Sequence, residues 1–279
     1  NESTLTFRKT NSTGEIVNFP SIDDSSVWVN TDIHVTPNIT QTSGTTTTYK
    51  IVDKNGTQVN LNSDSILLTE TGKYIATITT TDGVNEKTIT YYLYVDKTLP
   101  VVQITPNGGN YYIPVGSTST TVTATLTATD DGGSNLNTLQ YGWSSSNTTP
   151  PQAWSNFENG KEISKSVSGG ISYLWTNVTD IAGNEAKELK CSAAFKTGYT
   201  IEYDANGGQN APGTEYKNHN VNYTISETEP TKQGYTFIGW STSSQATTAE
   251  YNKSSVYNKN ESIKLYAVWK ANTYNITYN

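Results

Sequence analysis

The fold is decided by two related stretches, Gly72-Lys-Tyr-Ile-Ala-Thr-Ile-Thr-Thr-Thr-Asp82 and Gly170-Ile-Ser-Tyr-Leu-Trp-Thr-Asn-Val-Thr-Asp180. Each begins at a glycine, continues through apolar and aromatic residues, and ends on Thr-Asp, and the two Asp residues are 98 positions apart. A repeat at a fixed spacing is the signature of tandem structural units. The sequence therefore predicts two copies of one unit, the first unit (1–98) and the second unit (99–195).

The opening strand of each unit fits the same spacing, because Leu5-Thr-Phe7 aligns with Gln103-Ile104-Thr105. Apolar and polar residues alternate in Val27–Val35 and again in Thr121–Thr129, and Gly- and Asn-rich turns separate such runs. Short alternating strands with frequent turn signals are typical of an antiparallel β-sandwich. We therefore expect a mainly β protein, without a strong helical period anywhere.

Two motifs carry a resemblance to a known family. Val95-Asp-Lys-Thr-Leu-Pro100 stands at the joint between the units, and Val178-Thr-Asp-Ile-Ala-Gly-Asn184 near the end of the second unit. Both resemble the linker and the closing turn of bacterial immunoglobulin-like repeats from surface proteins. The resemblance implies two tandem immunoglobulin-like sandwiches.

A second repeat follows, since Tyr199-Thr-Ile-Glu-Tyr-Asp204 is answered by Tyr274-Asn-Ile-Thr-Tyr-Asn279, 75 residues later. It defines a third unit (196–270), and residues 271–279 are predicted to begin a further, truncated repeat. We accordingly expect the natural protein to continue past Asn279.

The third unit resembles the Listeria–Bacteroides repeat, the internalin B-type repeat of bacterial surface proteins. The resemblance rests on Tyr203-Asp-Ala-Asn-Gly-Gly208, on Glu229-Pro-Thr-Lys-Gln-Gly-Tyr-Thr-Phe-Ile-Gly-Trp240, and on Leu265-Tyr-Ala-Val-Trp269. It implies a small β-grasp-like domain. The residues themselves indicate three strands, at 198–204, 234–240 and 263–270, and no helix.

Composition excludes several classes of function. The formal net charge is −7 with a pI near 4.9, and no basic run occurs, so we expect no nucleic-acid partner. No apolar run is long enough to span a bilayer, which predicts no membrane insertion in this segment. One cysteine and two histidines exclude an internal disulfide and a Cys/His metal cluster, and no cofactor is predicted.

The candidates for catalysis are few. A hydrolytic triad would need His34 or His219 as its base, but neither lies near a nucleophile motif, so ordinary structural histidines are the better interpretation. Cys191 shares an alternating face with Leu189, Ala193 and Phe195, which predicts a core thiol. We therefore predict no catalytic residue and no enzymatic activity.

Metal binding stays open as an alternative to the prediction of no metal site. Asp130-Asp131-Gly-Gly-Ser-Asn135, together with Asp180, offers oxygen ligands that suit calcium. A turn rich in Asp, Gly and Asn explains the same residues without a metal. An isopeptide bond between a Lys and an Asn is a further alternative, although no pattern singles out the residues.

Aromatic side chains are the remaining candidates for a binding site. Trp154 falls in a predicted loop, Pro150-Pro-Gln-Ala-Trp-Ser-Asn156, and is the candidate for a surface contact. Trp143 and Trp175 fit the strand pattern of a sandwich core. Trp240 and Trp269 are predicted to build the core of the third unit, which is too small to leave its large side chains unused. Strand alternation places Ile238 on the same face as Trp240.

Together these features predict a non-catalytic extracellular segment, either wall-anchored or secreted, that acts as a spacer and adhesion module on a bacterial surface. The partner would be a host or matrix protein or a glycan, and the chain itself a monomer. The alternative is a carbohydrate-binding accessory region of a secreted glycan-degrading enzyme.

Overall fold

A computed structural model describes residues 2–59, 65–186 and 189–276. These residues form β-strands, turns and loops, and the predicted mainly β class is confirmed. Across the described ranges there is no helix that is long and apolar enough to cross a membrane.

The first unit is a sandwich of two four-stranded sheets, in the orders β2-β1-β4-β6 and β3-β8-β7-β5. Their apolar faces enclose one buried cluster that runs from Leu5 to Val95. Strand β3 pairs with β8 in parallel, and the other pairs are antiparallel. The strands are β1 (Thr4–Lys9), β2 (Ile16–Val17), β3 (Trp28–Val29), β4 (Ile33–Asn38), β5 (Thr46–Asp53), β6 (Ile66–Leu68), β7 (Gly72–Thr81) and β8 (Glu86–Val95).

The second unit repeats this plan. One sheet has the order β14-β11-β9, and the other begins β13-β12-β15-β17, with β10 parallel to β17 and β16 beside β15. Between the sheets lies a second cluster, from Val102 to Phe195. The strands are β9 (Val101–Thr105), β10 (Gly109–Ile113), β11 (Thr120–Thr129), β12 (Leu136–Ser144), β13 (Ser155–Asn156), β14 (Glu162–Val167), β15 (Gly170–Asp180), β16 (Lys190–Cys191) and β17 (Phe195–Asp204).

The burial pattern corrects the predicted alignment of the opening strands. Leu5 and Phe7 are buried in the first unit, but their buried counterparts are Val102 and Ile104, while Gln103 is exposed. The spacing at this strand is therefore 97 residues rather than 98. A shift of one residue exchanges the two faces of a strand. Burial therefore fixes the alignment of β9 with β1, which the residue types alone leave ambiguous.

The third unit has the strand order β18-β17-β22-β20, in which β17 and β22 are parallel and the outer strands antiparallel. This is the sheet of a β-grasp domain, but a two-stranded ribbon of β19 and β21 takes the place of a helix in covering it. Ile225 and Tyr257, in or beside the ribbon, join the buried cluster of Ile201, Trp240 and Leu265. The further strands are β18 (Glu215–Asn218), β19 (Tyr223–Thr224), β20 (Tyr235–Ser241), β21 (Val256–Tyr257) and β22 (Ile263–Ala271).

A bulge in β20 corrects the predicted faces of that strand. Phe237 pairs with Trp269, whereas Gly239 pairs with Val268, so the register shifts between Phe237 and Gly239. Phe237 therefore packs against the core together with Trp240, in place of the expected Ile238. Gly239 has φ 134°, and a Cβ there would lie 2.5 Å from the Cβ of Ala249, so both backbone shape and close approach require glycine.

Strand β17 runs without a break through the boundary predicted at 195/196. Its residues 195–197 pair with β15 of the second unit, and its residues 201–204 pair with β22 of the third. The two buried clusters nevertheless remain separate, because Phe195 belongs to the second and Ile201 to the third. The division into domains stays a prediction, as does a further repeat at 271–279, of which residues 277–279 lie outside the described part.

Removing the Trp240 side chain is expected to unfold the third unit. Trp240 is fully buried, and Trp269 is half-buried against the same cluster. Trp240→Ala should lower the free energy of unfolding by about 3–5 kcal/mol, because a large buried ring leaves a cavity. Tyr235→Ala, an exposed aromatic of the same strand, should cost under about 1 kcal/mol. Hydrogen exchange should show lost protection at 200–270 but not in the first unit; unchanged protection at 200–270 would contradict the prediction.

Candidate functional site

The joint between the first two units gathers three carboxylates. Asp96 follows β8, Asp130 follows β11, and Asp180 is the last residue of β15. One carboxylate oxygen from each residue lies within 4.8 Å of the other two, and Asp96 and Asp180 are fully buried. Sequence reasoning identified Asp130 and Asp180 but missed Asp96. The signal for it was present in the joint motif Val95–Pro100.

Hydrogen bonds satisfy both buried carboxylates. Asp96 accepts from the backbone N–H of Thr98 at 2.9 Å and of Ser134 at 3.0 Å. The backbone and side-chain amides of Asn184 donate to Asp180 at 2.8 and 2.7 Å. The side chain of Asn184 also donates to the carbonyl of Asp96 at 2.8 Å, which ties the closing turn of the second unit to the end of the first.

A glycine makes this close packing possible. A Cβ at Gly132 would lie 1.8 Å from Oδ1 of Asp96, so any other residue would displace the buried carboxylate. The oxygen-only set at the joint has the chemistry that calcium prefers. The same oxygens already accept hydrogen bonds, which accounts for the cluster without an ion. The prediction of no metal site therefore stays a prediction.

The two histidines lie in different units and bond to hydroxyl groups. His34, on β4, has Nδ1 at 3.2 Å from Oγ1 of Thr36. His219, after β18, has Nδ1 at 2.9 Å from the hydroxyl of Tyr199. Within the described ranges neither ring bonds to a carboxylate, so the geometry of a Ser-His-Asp triad does not form around either one.

Cys191 is not the core residue that alternation predicted. Strand β16 ends at Cys191, and of the predicted face Phe195 alone is fully buried, while Leu189 and Ala193 are exposed. The Cys191 thiol is half-buried, and this burial raises its pKa. It lines an open groove of about 770 Å³ at the edge of the second unit.

Trp175 lines the same groove, and its position also corrects the prediction. Leu174 enters the sandwich core, so Trp175 lies on the opposite face of β15, where its Nε1 donates to the carbonyl of Ser146 at 3.1 Å. Trp143 does pack against the core, 5.3 Å from the ring of Phe195. Trp154 precedes β13 and is half-buried, so part of its ring stays available for a contact.

A Lys–Asn pair occurs in the third unit. Lys217 is 2% exposed, and its Nζ donates to Oδ1 of Asn260 at 3.0 Å and to the carbonyl of Asn218 at 3.1 Å. Burial lowers the pKa of this lysine. Isopeptide formation needs an acid beside the pair, and no described carboxylate bonds to either side chain. Asn220 holds Asn260 from the other side, so the contact is explained as a buried hydrogen-bond network.

Comparison with known proteins identifies the third unit. Residues 199–268 match the model of the Listeria-Bacteroides repeat domain, which confirms the resemblance for that part of the chain. No curated protein matches the sequence.

Solved structures that match include fibronectin(III)-like modules of Clostridium thermocellum CbhA, with 13% identity, 62% of this chain and 90% of that chain covered, and a TM-score of 0.30. Three N-terminal domains of the bacteriophage RB49 Highly Immunogenic Outer Capsid protein (Hoc) match with 14% identity, coverage of 84% and 82%, and a TM-score of 0.31. The sandwich architecture of this chain follows from its own strand pairing and from the buried clusters between its sheets.

Loss of the Asp96 carboxylate is expected to weaken the joint. Asp96→Ala leaves the buried N–H of Ser134 without its acceptor, which should lower the free energy of unfolding by about 1–3 kcal/mol. Asp131→Ala removes an exposed carboxylate from the turn that carries Ser134. It should change the free energy of unfolding by less than about 0.5 kcal/mol. Urea denaturation of both variants measures the difference, and equal stabilities would contradict a structural role for Asp96.

Calcium titration tests the prediction of no metal site. Because an ion that binds the folded state stabilises it by mass action, saturating calcium should move the melting temperature by less than about 2 °C if no site exists. A larger rise that Asp180→Asn abolishes would contradict the prediction and assign an ion to the joint.

Proposed function

We propose that this chain is a non-catalytic, extracellular segment of a bacterial cell-surface protein, acting as a spacer and an adhesion module. The observation that carries the proposal is the serial arrangement of three β units. Each unit has its own buried apolar cluster, and both joints consist of ordered contacts rather than a loose linker. Units in series with ordered joints hold their two ends apart.

The joints support a spacer role in different ways. At the first joint, Asp96 is enclosed by the turns that carry Ser134 and Asn184 of the second unit. At the second joint, the continuous strand β17 pairs with strands of both units. Interdomain motion is the usual expectation for domains linked by a flexible segment, and both arrangements restrict it.

The family match of the third unit supports a bacterial surface location, and we propose that the repeat is of the internalin B-type. The hydroxyl-bonded histidines support a non-catalytic role. The partner of the adhesion module would be a host or matrix protein or a glycan. No nucleic-acid partner is proposed, because the chain is acidic.

A carbohydrate-binding accessory role is the second candidate, and it is favoured by Trp154, a half-buried loop residue that is not fully enclosed by the second unit. Aromatic rings next to solvent can stack on sugar rings. If the segment has this role, insoluble polysaccharide should retain it. The Trp154→Ala variant should lose this retention but keep the melting temperature of the parent.

Replacement of a whole unit tests the spacer role. The chain is displayed on a bacterial surface with an epitope at its N-terminus, and epitope access is measured with antibody-coated beads. Deleting residues 1–94, which keeps Asp96 and the linker in place, should reduce bead capture, because the epitope then lies closer to the cell. An unrelated sandwich of equal length in the same place should restore capture, since a spacer depends on length. Failure of the replacement to restore it would contradict the spacer role.

A further inference from the structure

Each unit pairs a strand from its beginning with its last strand, and in all three units these two strands are parallel. The pairs are β3 with β8, β10 with β17, and β17 with β22. Most other pairs in the chain are antiparallel. In the third unit these are the strands through which the chain enters and leaves, whereas β1 and β2 precede the paired strand of the first unit and β9 precedes that of the second.

The three parallel pairs differ in length. Strand β10 matches β17 over five positions, from Gly109 opposite Phe195 to Ile113 opposite Tyr199. Strand β17 matches β22 over four positions, from Ile201 opposite Ile263 onward. In the first unit β3 matches β8 over two positions.

Strands β10 and β22 lie end to end along one edge of β17. Strand β15 pairs with residues 195–197 of β17 and β18 with residues 198–201, so these two antiparallel strands take the opposite edge. The edge that remains carries β10 along its first half and β22 along its second half. Strand β17 is therefore hydrogen-bonded to β10 along its first half and to β22 along its second half, and it connects these two strands.

Side-chain hydrogen bonds connect the end of β10 to the start of β22. The hydroxyl of Thr200 donates to the carbonyl of Ile113, the last residue of β10, at 3.1 Å. The hydroxyl of Ser262, just before β22, also donates to that carbonyl and accepts from the backbone N–H of Thr200 at 2.9 Å. The two ladders are thus cross-linked by hydrogen bonds at their meeting point.

This geometry decides how tension acts on the chain. In a parallel pair, the N-terminal end of the first strand and the C-terminal end of the last strand lie at opposite ends of the ladder. Pulling the chain apart therefore slides one strand along the other and loads all the evenly spaced hydrogen bonds together. Pulling two adjacent ends apart would instead open the bonds one after another.

We infer that β10, β17 and β22 form a load-bearing path, which lets the segment resist tension between its two ends. The inference rests on the proposed spacer role, since a spacer between a cell and an attached surface is stretched whenever the two separate.

Force spectroscopy on the full chain tests the inference by changing only the direction of pulling. Both variants carry Cys191→Ser. The first has handles at Lys196→Cys, an exposed position near the start of β17, and at Thr273→Cys, beyond the end of β22, so pulling loads the two strands in shear. The second has handles at Glu202→Cys and Lys264→Cys, which lie opposite each other in the register, so pulling acts across the ladder and peels the strands apart.

The shear variant should unfold the third unit at a force at least about twofold higher than the peel variant at the same loading rate, because its four registered positions share the load. The handles enclose 77 and 62 residues, which release about 270 and about 220 Å of extended chain and identify the event. Equal melting temperatures of both variants and the parent show that the handles leave the fold intact. Lys270 is an exposed replacement for Thr273 if that handle perturbs the fold.

Equal forces in the two directions, or a higher force in the peel direction, would overturn the load-bearing path. That result would leave the spacer role standing, because replacement of the first unit tests length and not strength. Loss of the spacer effect with a retained directional difference would instead contradict the proposed function alone.

Discussion

The pairing of strand β17 on both of its edges is the constraint on which the rest of the architecture depends. Its first half completes the second sandwich, and its second half is the central strand of the third unit. Residues 197–200 are all buried, although they belong to neither of the two apolar clusters. Backbone groups removed from water must be paired, so these residues hold the second and third units in one orientation.

The first joint achieves order by a different means. No strand crosses it; instead the buried Asp96 accepts hydrogen bonds from its own linker and from the second unit. A buried carboxylate costs free energy unless it is hydrogen-bonded, so the bonds from Thr98 and Ser134 specify one arrangement of the turns around it. The first joint is thus held by polar side chains and the second by a continuous backbone.

Much of the fold could be predicted from local pattern. The Gly72–Asp82 and Gly170–Asp180 stretches alternate strongly, and the spacing of their turns indicated two sandwiches, which the sheet order confirms. The aromatic motif around Trp240 likewise located the core of the third unit. What local pattern could not supply was pairing between distant segments. Nothing within Phe195–Asp204 shows that its halves serve different sheets, and the bulge before Gly239 depends on contacts with Ala249.

In the candidate sites, too, local pattern identifies residue types but not contacts between distant segments. Asp130 and Asp180 were recognisable as oxygen ligands in turns, but their proximity to Asp96 depends on how two units meet. Strand alternation predicts the wrong surroundings for Cys191, because β16 ends at this residue, and for Trp175, because both faces of β15 are buried. Burial on both faces removes the polar–apolar contrast from which a strand's orientation is read.

Hydrogen exchange across residues 195–204 tests the shared strand most directly. If β17 pairs on both edges, its amides should exchange as slowly as those in the centre of β15, with no break in protection at the boundary near residue 196. Rapid exchange at residues 196–199, at the rate of an exposed linker, would show that the second and third units are joined by a flexible connection and would contradict the account.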